Sequence, residues 1–159
     1  TDLVAQLADR TVSREYEAVA VGAMTGGGTV NAPMGRHPVQ RKLMAVLSAG
    51  GKRAVTHYRV AKRYPSHTHI RVKLETGRTH QIRVHLLKLG HAILGDDKYG
   101  FEDIDKQIKS KRLYLHAHLA GFTHPRTGEK MRIESPLPVE FAAMMNAFDQ
   151  APKIIKEDE

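Results

Sequence analysis

Apolar and polar residues alternate with period two over several short stretches, as strands with one face in a core require. In YEAVAVG, Tyr16, Ala18 and Ala20 fall on one side and Glu17, Val19 and Val21 on the other. AVTHYRVAKRY reads as a second strand. HIRVKLE sets Ile70, Val72 and Leu74 against Arg71, Lys73 and Glu75, so one of its faces belongs to a core and the other is basic. Leu113, Leu115, Ala117 and Leu119 alternate in LYLHAHLAGF, and the turn HPRTGEK leads into MRIES, which predicts a hairpin.

The period lengthens after TGRTH. Ile82, Leu86 and Leu89 recur at helical spacing and Gly90 stands where a C-terminal cap belongs. Pro138 opens a last helix whose Phe141, Met144, Met145 and Phe148 form one apolar stripe, read as core. Strands dominate, helices flank them and no βαβ alternation or internal repeat appears. The predicted class is therefore α+β with a largely antiparallel sheet, one domain over residues 1–150 and a charged tail over 151–159. Leu3, Val4 and Leu7 look like a helix entered partway along, so the chain is expected to be a fragment.

The 159 residues suffice for one domain and not for two substantial cores, and a hydrophobic share of 41% argues against disorder. No run of apolar residues is long enough to span a bilayer and the opening residues do not resemble a secretory signal, so a cytoplasmic location is the simplest reading. The absence of cysteine excludes disulfide, thiolate-zinc and thiol-nucleophile chemistry. Charge adds more. The formal net charge is +8, but residues 36–88 hold 13 Lys and Arg against the single acid Glu75, together with six of the ten histidines. Such segregation predicts a strong positive potential on one side of the domain, suited to a phosphate backbone.

Two loops concentrate the candidate chemistry. GRHPVQRK places Arg36, His37, Arg41 and Lys42 around the stiffening Pro38, which suits contacts that position a backbone without reading bases. ETGRTHQIRVHL presents Arg78, Thr79, His80, Gln81 and Arg83 where a strand end, a glycine turn and a helix start meet. The pairs His67 with His69 and His116 with His118 lack the further ligands of a zinc site, and no serine stands in a nucleophile elbow. Gly26, Gly27 and Gly28 lack the Lys-Ser/Thr of a phosphate loop, and a hairpin turn explains them.

LETGRTHQIRVHL, with REYEAVAVG and GRHPVQRKLMAV before it and GDDKYG, LHAHLAGFTHP and GEKMRIESPLP after it, resembles the bacterial RluA-type pseudouridine synthases. The likeness is strongest to their RluC and RluD branch, which acts on large-subunit (23S-type) ribosomal RNA, and it runs from about residue 1 to residue 148. It implies an isomerase that flips a uridine out of RNA, detaches the uracil, turns it and rejoins it through carbon without metal or cofactor. It further implies catalytic roles for Tyr16, stacked on the uracil and helping to remove its C5 proton, and for Arg83, paired with the catalytic aspartate. Ile82 would line the pocket, and Arg36, His37, Arg41, Lys42, Arg78, His80 and Gln81 would contact RNA.

The His-Arg-Leu-Asp motif that carries the family's nucleophile is absent from these residues and is expected shortly before Thr1; Asp96 and Asp97 match a different segment. The amino-terminal S4-type RNA-binding module of that branch is also absent. The chain is thus expected to be the carboxy-terminal part of a monomeric synthase's catalytic domain, inactive if it stands alone. Two alternatives differ in class: a non-catalytic RNA-binding module and a metal-dependent nucleic-acid hydrolase built on the histidines.

Overall fold

A computed structural model describes residues 13–108, 112–123, 130–134 and 136–150. The expectations for Leu3, Val4 and Leu7, for the HPRTGEK turn through residue 129 and for the tail 151–159 lie outside the described residues, as do the side chains of 118–123 and 130–134. The strands are β1 (Ser13–Val21), β2 (Gly28–Asn31), β3 (Met34–Arg36), β4 (Met44–Val46), β5 (Val55–Arg63), β6 (His67–Leu74), β7 (Leu115–Thr123) and β8 (Lys130–Glu134). The helices are α1 (Gln81–Lys88), α2 (Glu102–Ile108) and α3 (Val139–Gln150).

Six strands form one sheet in the order β2-β5-β6-β1-β7-β8, and every pairing is antiparallel. The α+β expectation and the β7–β8 hairpin therefore hold. The glycine run does not make the expected hairpin, because β1 lies at the centre of the sheet while β2 pairs with β5 at its edge. Gly27 lets the crossing chain pass close to β5: a Cβ there would stand 2.6 Å from the Tyr58 carbonyl oxygen. β3 and β4 form a separate two-stranded hairpin that carries the GRHPVQRK loop.

Register assigns the two sheet faces. Tyr16 lies opposite Val72, which lies opposite Tyr58, and Ala18 opposite Ile70, which lies opposite Val60. By alternation Thr56 shares this face, and α1 docks on it. The other face carries Glu17, Val19, Arg71, His69 and His67, and α3 covers part of it, with Phe148 stacked on His67 at 4.4 Å and Asp149 bonded to Lys62. Covered on both sides, Ala18, Val19 and Ala20 are completely buried. The α3 stripe is core as expected, Phe141 fully and Phe148 nearly so.

A buried chain of hydrogen bonds fixes α1 on its face. The Val55 amide donates to Thr76 Oγ1, the Thr76 hydroxyl to Gln81 Oε1, and Gln81 Nε2 to Thr56 Oγ1 and to the Val55 carbonyl. His85 Nε2 lies 3.0 Å from the Ala32 carbonyl, which can only accept. The ring proton is therefore on Nε2, and the Thr56 hydroxyl donates to Nδ1 at 2.8 Å. At the other end Gly90, at φ 82°, and His91 return their amides to the Leu87 and Leu86 carbonyls, the capping pattern expected of Gly90.

Gln81→Ala is expected to leave several buried groups without partners and to lower stability by about 3 kcal/mol, measured by denaturant unfolding. A second expectation concerns acid. Burial pushes His67 down from 6.5 to about 4, and also lowers His85. Unfolded, these rings take up protons that the fold refuses, so their stabilising contribution is complete above pH 6.5 and is lost as pH falls toward 4. His67→Phe should remove up to about 3 kcal/mol of that loss, seen as a flatter profile of unfolding free energy between pH 7 and 4.

Candidate RNA interface and active-site residues

The residues singled out in the sequence divide between the α1 face and the β3–β4 hairpin. Tyr16 is half-buried on β1, with Val72 and Ala117 opposite it and a bulge in the β1–β7 pairing beside it. The adjacent Ala117 is exposed, whereas Ala18 and Ala20 are covered. Arg14, two residues away on the same face, lays its guanidinium over Gly77, in the space that a Cβ there would occupy. That contact joins the start of β1 to the TGRTH turn.

Arg83 lies in the first turn of α1, between Gln81 and His85, which face the sheet, and points away from both. Its Nε donates to Asp96 Oδ2 at 2.9 Å and its Nη2 to Asp96 Oδ1 at 2.7 Å. Its guanidinium carbon stands 5.1 Å from the centre of the Tyr99 ring. Hydrogen bonding to Asp96 raises the Arg83 pKa further. Burial pushes Asp96 up, but the bonds from Arg83 and from the Tyr99 and Lys98 amides together outweigh it and hold the carboxyl below its ordinary range. Both charges persist at neutral pH. Ile82 beside Arg83 is buried in the main core.

His80 is the one non-glycine residue with positive φ among the described residues, at 57°. Its ring does not cap the helix; instead Nδ1 meets the Tyr99 hydroxyl at 2.8 Å. That hydroxyl also accepts the Met44 amide of β4 at 2.9 Å. Tyr99 is buried, and among the described residues the His80 nitrogen is the one acceptor for its proton, so Nδ1 accepts and Nε2 carries the ring hydrogen. Burial, then the charges of Arg83 and Lys98, lower the His80 pKa and favour this neutral form.

Gln81 requires a correction. It is 2% exposed and its amide is committed to Thr76, Arg78, Thr56 and Val55, so it holds the turn and is not presented to a phosphate. Arg78 uses its Nε on the Arg53 carbonyl and remains partly exposed. In the β3–β4 loop His37 Nδ1 accepts the amides of Val39 and Gln40, and Arg36 donates to the Arg41 carbonyl, so these two residues shape the loop. The side chains of Arg41 and Lys42 are exposed and make no hydrogen bond or ion pair among the described residues.

The positive charge is less one-sided than its position in the chain implied. Arg59 and Arg71 lie opposite each other, with Lys73 next in line, on the face away from α1. On that face His69 and Arg71 both bond the buried Glu17, and His67 stacks on Phe148. No group of three potential metal ligands converges among the described residues. The small core beneath the hairpin, which includes Met34, Val84 and Tyr99, ties the basic loop to α1.

Known proteins resemble this chain in sequence and in fold. The pattern that defines the family described as RNA pseudouridylate synthase matches residues 1–88. Ribosomal large subunit pseudouridine synthase D of Pseudomonas aeruginosa is 49% identical over 160 residues, covering 94% of this chain and 50% of that protein. The Vibrio cholerae protein of the same name is 44% identical, covering all of this chain and 52% of its own. The chain thus spans about half the length of the curated relatives it matches. Human RNA Pseudouridylate Synthase Domain Containing 1 superposes with a TM-score of 0.75 at 22% identity, over 96% of this chain and 71% of that one. Human RNA Pseudouridylate Synthase Domain Containing 4 superposes with a TM-score of 0.72 at 23% identity, over 92% and 66%. The antiparallel sheet with its flanking helices is therefore the fold of these domains, and the chain belongs to the RNA pseudouridylate synthase family, among its RluA-type members.

Proposed function

We propose that this chain forms part of the catalytic domain of an isomerase that converts uridine to pseudouridine in large-subunit ribosomal RNA. The observation that carries the reading is Arg83, a mostly buried, oriented cation on the helix that docks on the sheet face of Tyr16. In the reaction the N1–C1′ bond breaks, a C5–C1′ bond forms, C5 gives up a proton and N1 gains one. Atoms and charge balance without a metal or cofactor. The nucleophile is an aspartate from a His-Arg-Leu-Asp motif outside these residues, which Arg83 keeps ionised as a nearby cation does. Tyr16 stacks on the flipped uracil and assists removal of the C5 proton.

Arg41 and Lys42, with Arg36, meet RNA phosphates from the hairpin, while Arg78 and His80 do so beside the catalytic helix. Their mixture of free and internally bonded groups suits backbone positioning, in which contacts fix the register of the RNA without reading its sequence. The enzyme acts as a monomer in the cytoplasm.

The test uses the complete protein and single-turnover pseudouridine formation at saturating enzyme, with RNA affinity measured alongside. Tyr16→Phe should keep affinity, since stacking survives, and slow turnover by about a hundredfold or more. Arg83→Ala should slow it on the order of a hundredfold or more. Variants that keep the parent rate and lose only affinity would make this a binding surface. Separately, replacing Arg36, Arg41 and Lys42 together by Ala should flatten the dependence of log affinity on log salt by roughly two to three units. An unchanged slope removes the hairpin from the interface.

A further inference from the structure

A guanidinium has two hydrogen-bonding edges besides its faces, and in Arg83 they are treated differently. The edge formed by Nε and Nη2 is taken up by both oxygens of Asp96, and Nη2 also reaches Asp97 Oδ1 at 3.5 Å. The Tyr99 ring lies 5.1 Å from the guanidinium carbon. Nη1 makes no hydrogen bond among the described residues. The side chain is 14% exposed, so little freedom remains for the group to turn.

The carboxylate that imposes this order is itself fixed. The Asp96 side chain has no exposure, and its Oδ1 also accepts the amides of Lys98 and Tyr99 at 3.0 Å each. The preceding Gly95 amide is tied to Asp105 Oδ1 at 3.0 Å. Asp96 thus stands on a turn braced by α2, and none of its bonds needs RNA or another carboxylate to be present. Asp97, the other acid of GDDKYG, is 86% exposed and cannot serve this way.

We propose that Asp96 is the positioning residue for Arg83. Resting on the reading of Arg83 given above, it keeps the cation paired when the site is empty and presents the Nη1 edge to the nucleophilic carboxylate. One arginine then serves two carboxylates, one structural and permanent, the other catalytic. A lysine could not do this, because an ammonium is a point charge without a second planar edge.

Asp96→Asn removes the charge while retaining an oxygen for the two amides. In the complete protein it should lower the single-turnover rate at saturating enzyme by about tenfold or more, with RNA affinity within about twofold of the parent. Placed in an Arg83→Ala background it should lower the rate no further, because it acts through a side chain that is gone. Arg83→Lys, which leaves the Asp96 turn untouched, should also lose about tenfold or more. If Arg83→Ala is slow while Asp96→Asn or Arg83→Lys keeps the parent rate, the inference fails and the reading of Arg83 stands. The inference also fails if the two effects multiply in the double variant. An unimpaired Arg83→Ala overturns the reading of Arg83 and this inference with it.

Discussion

The placement of α1 depends on a directional chain of hydrogen bonds that runs from the Val55 amide through Thr76, Gln81, Thr56 and His85 to the Ala32 carbonyl. Every polar hydrogen in it has an acceptor and the residues are buried, so the chain has one consistent direction, with His85 neutral. In a low-dielectric interior such a network is costly to leave half-satisfied, which makes the register of the helix on the sheet nearly all-or-none. Gln81 and His85 are one turn apart and hold the helix from the same side. Arg83, between them, is thereby forced outward to the GDDKYG turn, where Asp96 and Tyr99 receive it.

Much of this could be read from the chain, and what could not has physical causes. The long strands announced themselves by alternation because one or both of their faces lie under helices. β3 and β4 have three residues each, too few for any period to show, and α2 is a seven-residue helix that is mostly exposed. The glycine run suggests a local turn because sequence shows which residues adjoin and not which strands pair; the chain instead crosses from the centre of the sheet to its edge. The family resemblance supplied Tyr16 and Arg83, and periodicity alone would have supplied neither.

Gln81 shows the limit at the level of one residue. A glutamine at the start of a helix among basic neighbours looks like an exposed donor, and its polarity gives no hint of burial. The available signal was its spacing of four from His85, which puts two polar side chains on the face that also holds Val84 and the apolar Ile82. The charge pattern misled in a similar way. Two neighbouring antiparallel strands distribute their cations to the same side by register, and here that side, with Arg59 opposite Arg71, faces away from α1. A run of positive charge in sequence therefore became two surfaces in space.

Tyr99 links the two regions proposed to meet RNA. Its hydroxyl receives the amide of Met44 at the start of β4 and gives its proton to His80, while its ring lies beside the Arg83 guanidinium. The left-handed backbone at His80 is what swings the imidazole off the helix end and onto that hydroxyl, a conformation that costs free energy in a residue with a Cβ. The basic loop is thus tied to α1 through a buried phenol, while the side chains of Arg41 and Lys42 stay exposed at the far end of the hairpin. On the proposed reading, phosphate contacts there would orient the RNA while the bond between Met44 and Tyr99 holds β4 to the turn beside Arg83. A neutral hydrogen-bonded joint thus holds the hairpin and α1 in one register.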